Sequence, residues 1–127
     1  IQAQTGLAII FITHDFGVVA RMCDRVAVMY AGRIVEHGPV RDIFNHPSHP
    51  YTEALMASVP KLEERVDRLY SIEGQPPRLF DLPPGCRFAP RCPHAQSQCL
   101  EEYPSSFPIR EGHTADCWRH DASWQKR

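Results

Sequence analysis

The chain has 127 residues, 43% of them hydrophobic and 23% charged, with a formal net charge of −1. That balance excludes a wholly disordered chain and a broad non-specific nucleic-acid surface. No apolar run exceeds six residues, the length of residues 7–12, far too short to span a bilayer, and no charged stretch leading into an apolar one opens the chain as a secretory leader. The first residue is not Met, so a processed chain or a fragment is expected, one modest domain or a domain with a tail.

Leu7-Ala8-Ile9-Ile10-Phe11-Ile12 is continuously apolar and β-rich, and it stops at Thr13-His14-Asp15. Such a run predicts a central strand of a parallel sheet, covered on both faces. Asp15 is a suitable N-cap for a short helix carrying Phe16, Val19, Ala20 and Cys23 at helical spacing and ending near Asp24. A strand from Arg25 to Tyr30, with Val26, Val28 and Tyr30 on one face, meets a second from Arg33 to Glu36 across the turn pair Ala31-Gly32. Gly38-Pro39 ends the hairpin. Val40, Ile43 and Phe44 predict a short helix opened by Pro39, and Tyr51, Leu55 and Val59 a further one stopped by Pro60.

Beyond residue 60 the periodicity weakens. Arg68 to Glu73 reads as a short strand, and Gln75-Pro76-Pro77 and Leu82-Pro83-Pro84-Gly85 as extended or turning chain. Ten of the 12 prolines lie at or after Pro50, and four of the five cysteines lie between Cys86 and Cys117. The first half is therefore ordinary globular sequence and the second is loop-rich.

His14 follows the apolar run at the carboxyl end of the expected strand, where open parallel sheets bind ligands. A histidine there can exchange a proton near neutral pH; the plainer reading is a polar strand-end residue bonded to a loop. The four clustered cysteines, Cys86, Cys92, Cys99 and Cys117, have the spacing C-x5-C-x6-C-x17-C. Four thiolates suit a [4Fe–4S] cluster or a tetrahedral zinc ion. No tight C-x2-C knuckle occurs, and the wide spacing within Pro-rich chain fits the cluster better. Plain buried thiols or two disulfides remain the alternative, and His94 or His113 can stand in for a thiol. Arg87 and Arg91 flank the ligands and are expected to offset a cluster's negative charge. Cys23 reads as an inert core thiol. His46 and His49, three apart between prolines, read as a loop and helix start rather than a metal site.

The order of the apolar run, Thr13-His14-Asp15, the short helix, Cys23-Asp24-Arg25-Val26-Ala27-Val28-Met29 and Ala31-Gly32-Arg33-Ile34-Val35-Glu36-His37-Gly38 resembles the end of an ABC-transporter ATPase domain. His46-Pro47-Ser48-His49-Pro50-Tyr51-Thr52, Ile72-Glu73-Gly74-Gln75-Pro76-Pro77 and Pro84-Gly85-Cys86-Arg87-Phe88-Ala89-Pro90-Arg91-Cys92 resemble the C-terminal extension of the oligopeptide, dipeptide and nickel importers of that family. The chain carries no Gly-x-x-x-x-Gly-Lys-[Ser/Thr] loop and no Leu-Ser-Gly-Gly-Gln signature.

The resemblance implies an α/β fold class: the C-terminal portion of an ABC-type P-loop ATPase domain (residues 1–60), then a small Pro/Cys-rich extension (residues 61–127). It implies that His14 is the switch histidine, contacting the γ-phosphate of ATP, with Mg2+, and helping to hold the attacking water. Cys86, Cys92, Cys99 and Cys117 would hold an iron–sulfur cluster, as some peptide-importer ATPases carry one there. The partners implied are a second ATPase subunit, identical or sister, transmembrane permease subunits and an external substrate-binding protein, with no nucleic acid. The location implied is the cytoplasmic face of the cell membrane, held peripherally. The rival reading is a standalone cysteine-rich metal-binding module.

Overall fold

The computed structural model describes residues 1–59 and 71–124. The element order is α1 (Gln2–Thr5), α2 (Phe16–Met22), β1 (Arg25–Tyr30), β2 (Arg33–Pro39), α3 (Val40–Asn45), α4 (Pro50–Ser58), α5 (Ser97–Glu101), β3 (Phe107–Arg110) and β4 (His113–Ala115), with 3₁₀ turns at Ala89–Arg91 and Trp118–His120. No helix among the described residues is long and apolar enough to cross a membrane.

The sheet runs β1-β2-β4-β3, and every pair in it is antiparallel. This corrects the parallel-sheet expectation for residues 7–12, which form no strand. Ile10 is 90% exposed and Ile12 98%. A strand needs a neighbour for its backbone donors and acceptors, and among the described residues none pairs with this run. Helix α2 forms where expected: the Asp15 carboxylate accepts from the Val18 backbone N–H at 3.1 Å, satisfying one of the helix's free donors.

The hairpin forms as its sequence dictates. Ala31 (φ 47°) and Gly32 (φ 81°) both take the left-handed conformation that a two-residue hairpin turn needs. The alternation of Val26, Val28 and Tyr30 buries one face of β1 and leaves Met29 out. β2 continues past Glu36 to Pro39, because Ala27 pairs with His37 and Val26 with Gly38. A register shift between Val28 and Met29 leaves the adjacent Val35 and Glu36 both buried.

The core comprises Val28, Tyr30, Val35, Ile43 and Phe88, with Tyr51, Leu55, Ile72, Cys86 and Cys92 packed against it. Phe88, 1% exposed, thus comes from the Cys-rich half to fill the hairpin's apolar face. Its ring meets Tyr30 edge-on at 5.2 Å and lies 5.4 Å from Tyr51. Tyr51 also packs on Tyr30 at 4.6 Å. β4 joins the hairpin through Glu36–Ala115 and His37–Thr114, so residues on both sides of position 60 share one sheet. Of the expected strand from Arg68 to Glu73, residues 68–70 lie outside the described residues, and residues 71–73 form no strand.

Candidate functional site

Two places carry candidate chemistry, and the structure treats them oppositely. His14 lies in open chain, exposed, next to a local turn in which Thr13 Oγ1 accepts from the Asp15 N–H at 3.0 Å. Nothing among the described residues converges on it. The four cysteines converge: Cys86, Cys92, Cys99 and Cys117 all line one cavity of about 20 Å³, closed by His49, Phe88, His94, Trp118, Arg119 and Trp124.

Local structure explains the convergence. The 3₁₀ turn Ala89–Arg91 brings Cys92 back beside Cys86, with the Cys92 N–H bonded to Ala89 at 3.1 Å and the Ala89 N–H to Cys86 at 3.0 Å. The Cys86 N–H donates to the Cys99 carbonyl at 2.8 Å, which pins α5 to this loop. Gly85 permits that approach, since a Cβ there would lie 2.6 Å from the Leu100 carbonyl carbon. Cys117 caps the final 3₁₀ turn, whose Trp118 Nε1 donates to the Glu102 carbonyl at 3.0 Å.

All four thiols are free. Burial pushes the Cys86 thiol up, the Cys92 thiol up to about 11 and the Cys117 thiol up to about 12. Neighbouring sulfurs add to each rise, while Arg119 opposes it at Cys92 and Cys117. Burial thus favours the neutral thiol over the thiolate at all three positions. The donor set suits a thiolate-bound metal centre in kind. In geometry, no group of three or more His, Cys, Asp or Glu side chains among the described residues is placed to hold a metal ion. Either occupant, cluster or zinc, requires the thiol side chains to readjust.

Several sequence expectations change here. Arg87 and Arg91 do not face the sulfurs. Arg87 donates to the Ala31 carbonyl at the hairpin turn, and Arg91 donates to the carbonyls of Glu73 and Ile72 and to the Tyr30 hydroxyl. Arg119 is the cation at the cavity, paired with Glu53 at 3.1 Å. His94 lines the cavity, as a substitute ligand must. His113 does not: it is fully buried, packed against Gly38, with Nε2 2.7 Å from the Glu36 carboxylate. Cys23 is half-buried and outside the core cluster.

Sequence reasoning missed Glu36, and it read His49 only as part of a loop and helix start. The Glu36 carboxylate, 1% exposed, accepts from the Ser48 N–H at 2.8 Å and the His49 N–H at 2.9 Å as well as facing His113. It joins β2, the start of α4 and β4 at one point. The His49 ring walls the thiol cavity, and its Nδ1 accepts from the Tyr51 N–H at 3.0 Å, capping α4. The neutral ring proton therefore sits on Nε2. Burial first, then the nearby His120 and Arg119, lower its pKa to about 3. The histidine between two prolines was a signal for a helix cap; its place at the cavity depends on long-range packing.

The family described as the oligopeptide/dipeptide transporter C-terminal region matches residues 35–99. The chain is 50% identical over 121 residues to the dipeptide transport ATP-binding protein DppD of Bacillus subtilis, covering 95% of this chain and 36% of that protein. It is 46% identical over 118 residues to the oligopeptide transport ATP-binding protein OppD of Haemophilus influenzae, covering 93% of this chain and 36% of that one. The chain thus spans about a third of the length of the curated relatives it matches. These alignments run through the hairpin as well as the cysteines, which removes the standalone metal module as a reading. The family match alone extends from β2 through the His-Pro-Tyr turn to Cys99, half of the sequence, and the chain belongs to the oligopeptide/dipeptide transporter C-terminal region family.

Proposed function

We propose that this chain is the C-terminal part of an ATP-hydrolysing subunit that powers import of oligopeptides or dipeptides. The observation that carries the reading is the alignment of 95% of the chain, at 50% identity, with a dipeptide transport ATP-binding protein. Residues 1–60 would finish the ATPase domain and residues 61–127 would form its extension. The complete subunit would bind ATP with Mg2+, pair with a second ATPase subunit, and drive permease subunits fed by an external binding protein. It would lie on the cytoplasmic face of the membrane.

In this reading residues 7–12 become a covered strand once the rest of the ATPase domain lies beside them, and His14 is carried to the nucleotide. There it would act by position and charge on the γ-phosphate and the attacking water. The 127-residue chain alone should bind no ATP, because one histidine cannot replace the phosphate loop's amides and lysine. Micromolar binding of Mg-ATP by the chain in calorimetric titration would overturn that. In the full-length subunit with its permeases in proteoliposomes, His14→Ala should keep ATP binding and slow hydrolysis by roughly 10²–10³-fold, by analogy with loss of an oxyanion-hole donor. Unchanged turnover would remove His14 from the chemistry.

Cys86, Cys92, Cys99 and Cys117 would hold a metal centre, a [4Fe–4S] cluster in preference to zinc. Its contribution when bound would be structural, tying four distant points of a lobe with little apolar core. Support comes from the convergence of four free thiols on one cavity. His49 and the two Trp side chains would exclude water, and Arg119 would offset negative charge. Iron, sulfide and zinc analysis after anaerobic purification decides between the occupants; one equivalent of zinc without iron would reject the cluster.

A further inference from the structure

The thiol ring has an internal order that neither ligand reading uses. Cys86 and Cys99 are joined by a backbone hydrogen bond, Cys86 N–H to Cys99 carbonyl at 2.8 Å. That single bond holds the two backbones in direct contact, and a disulfide needs its two Cα atoms within about 7 Å of each other. Gly85 tightens the approach, since its missing Cβ lets the two backbones touch. Both side chains line the same small cavity. Cys92 and Cys117 have no such tie: among the described residues their backbone bonds are local, to Ala89 and Ala95 for Cys92 and to His120 for Cys117. Cys86 is also partly exposed, whereas Cys99 is buried.

We propose that Cys86 and Cys99 are a thiol–disulfide modification site, bridged when the cavity holds no metal and a low-molecular-weight disulfide such as oxidised glutathione is present. Cys86, the accessible partner, loses its proton and attacks one sulfur of the small disulfide. That S–S bond breaks, one glutathione leaves as a thiol, and a mixed disulfide remains on Cys86. The Cys99 sulfur then attacks the Cys86 sulfur and loses its own proton, and the second glutathione leaves as a thiol. Two protein thiols are oxidised by two electrons, one glutathione disulfide is reduced, and the two protons end on the two released thiols. Bridging withdraws two of the four candidate ligands, so metal loading and oxidation compete for the same pair. The site does not rest on the identity of the metal, nor on any metal being bound in the cell.

The test uses the full chain, treated with EDTA under anaerobic conditions and then incubated with oxidised glutathione. The titratable thiols should fall from five to three, and mapping under non-reducing conditions should show one dominant link, Cys86 to Cys99. Trypsin separates Cys86 at Arg87 but leaves Cys92 and Cys99 in one peptide after Arg91, so fragment ions between them must carry the assignment. Cys99→Ser should leave glutathione trapped on Cys86. Cys92→Ser with Cys117→Ser should still form the bridge. A dominant link to Cys92 or Cys117, glutathione adducts without an internal link in wild type, or five thiols remaining would each overturn the proposal. Absence of metal in the untreated chain would count against the metal reading alone, since the mapping still decides the bridge.

Discussion

Residues 7–14 and residues 86–117 invert the usual relation between sequence hydrophobicity and burial. The first region is the most apolar stretch in the chain, yet Ile10 and Ile12 are almost fully exposed. The second is rich in proline and polar residues and has little periodicity, yet it supplies Phe88 to the core and buries Cys99 and Cys117. The difference is partners. An apolar strand gains nothing until another surface covers it, whereas a loop-rich segment packs wherever side chains from other elements meet it. Loop 86–92 has the hairpin turn, α4 and α5 to lean on.

The largest effects should come from the joint that makes this packing possible. Glu36→Ala leaves two buried backbone N–H groups and His113 facing no acceptor. It should cost about 2–5 kcal/mol, from about 1–3 kcal/mol for each buried donor left without an acceptor. Urea unfolding of the chain measures it, and a loss below about 1 kcal/mol would mean that the joint does not hold the two regions together. Phe88→Ala tests the same comparison through packing alone. It should cost about 3–5 kcal/mol, because the ring fills the space between Tyr30 and Tyr51.

Where the fold was legible, short-range chemistry was enough. Asp15 announced a helix start, Ala31-Gly32 a turn, and the alternation of Val26, Val28 and Tyr30 a buried face, and each formed. The four cysteines were legible as a set, because spacing and residue type identify thiols that belong together. The failures were long-range. Nothing local in Arg87 or Arg91 says that their guanidinium groups turn to the hairpin turn and to residues 72–73. A buried glutamate in a β-strand looks like an ordinary surface position until the loop that supplies its N–H donors is placed. The strand expected at residues 7–12 does not form among the described residues for a related reason: a run of six apolar residues specifies a strand only together with neighbours.

His49 gives a pH test of the cavity wall, smaller than the core substitutions. Its folded pKa is lowered to about 3 from 6.5 by burial, with His120 and Arg119 adding to the fall. The unfolded chain therefore binds a proton between those values that the folded chain refuses. Its contribution to stability is full above pH 6.5 and declines as pH falls, by roughly 2 kcal/mol at pH 5. Glu36, against the His49 backbone N–H, and Glu53, paired with Arg119, are the carboxylates nearest this wall. Comparison with His49→Asn, which keeps an oxygen to cap α4, isolates the histidine. Between pH 7 and pH 5 the wild type should lose more stability than the variant; parallel curves would place the ring in water rather than in the wall. Asp15→Ala should be smaller again, about 1 kcal/mol, read as faster amide exchange in residues 16–22 with the hairpin unaffected.

The smallest expected effect is the most discriminating. Ile12→Ser in this chain should change stability by less than about 0.5 kcal/mol, because a side chain 98% exposed has no contacts to lose. The same substitution in the full-length subunit should cost about 2–5 kcal/mol if residues 7–12 become a strand covered on both faces, as large-to-small changes in a core do. Measuring both by urea unfolding turns one substitution into a test of where this region finds its partners. A large loss in the 127-residue chain would show that the run is already packed and would break the contrast with residues 86–117. No loss in the longer protein would remove the strand assignment, and with it the reason for placing His14 at a nucleotide. A difference of several kcal/mol between the two contexts is the outcome that joins the apolar run to the ATPase reading. It makes the exposure of Ile10 and Ile12 a property of missing neighbours, while the buried Phe88 has its neighbours within the chain.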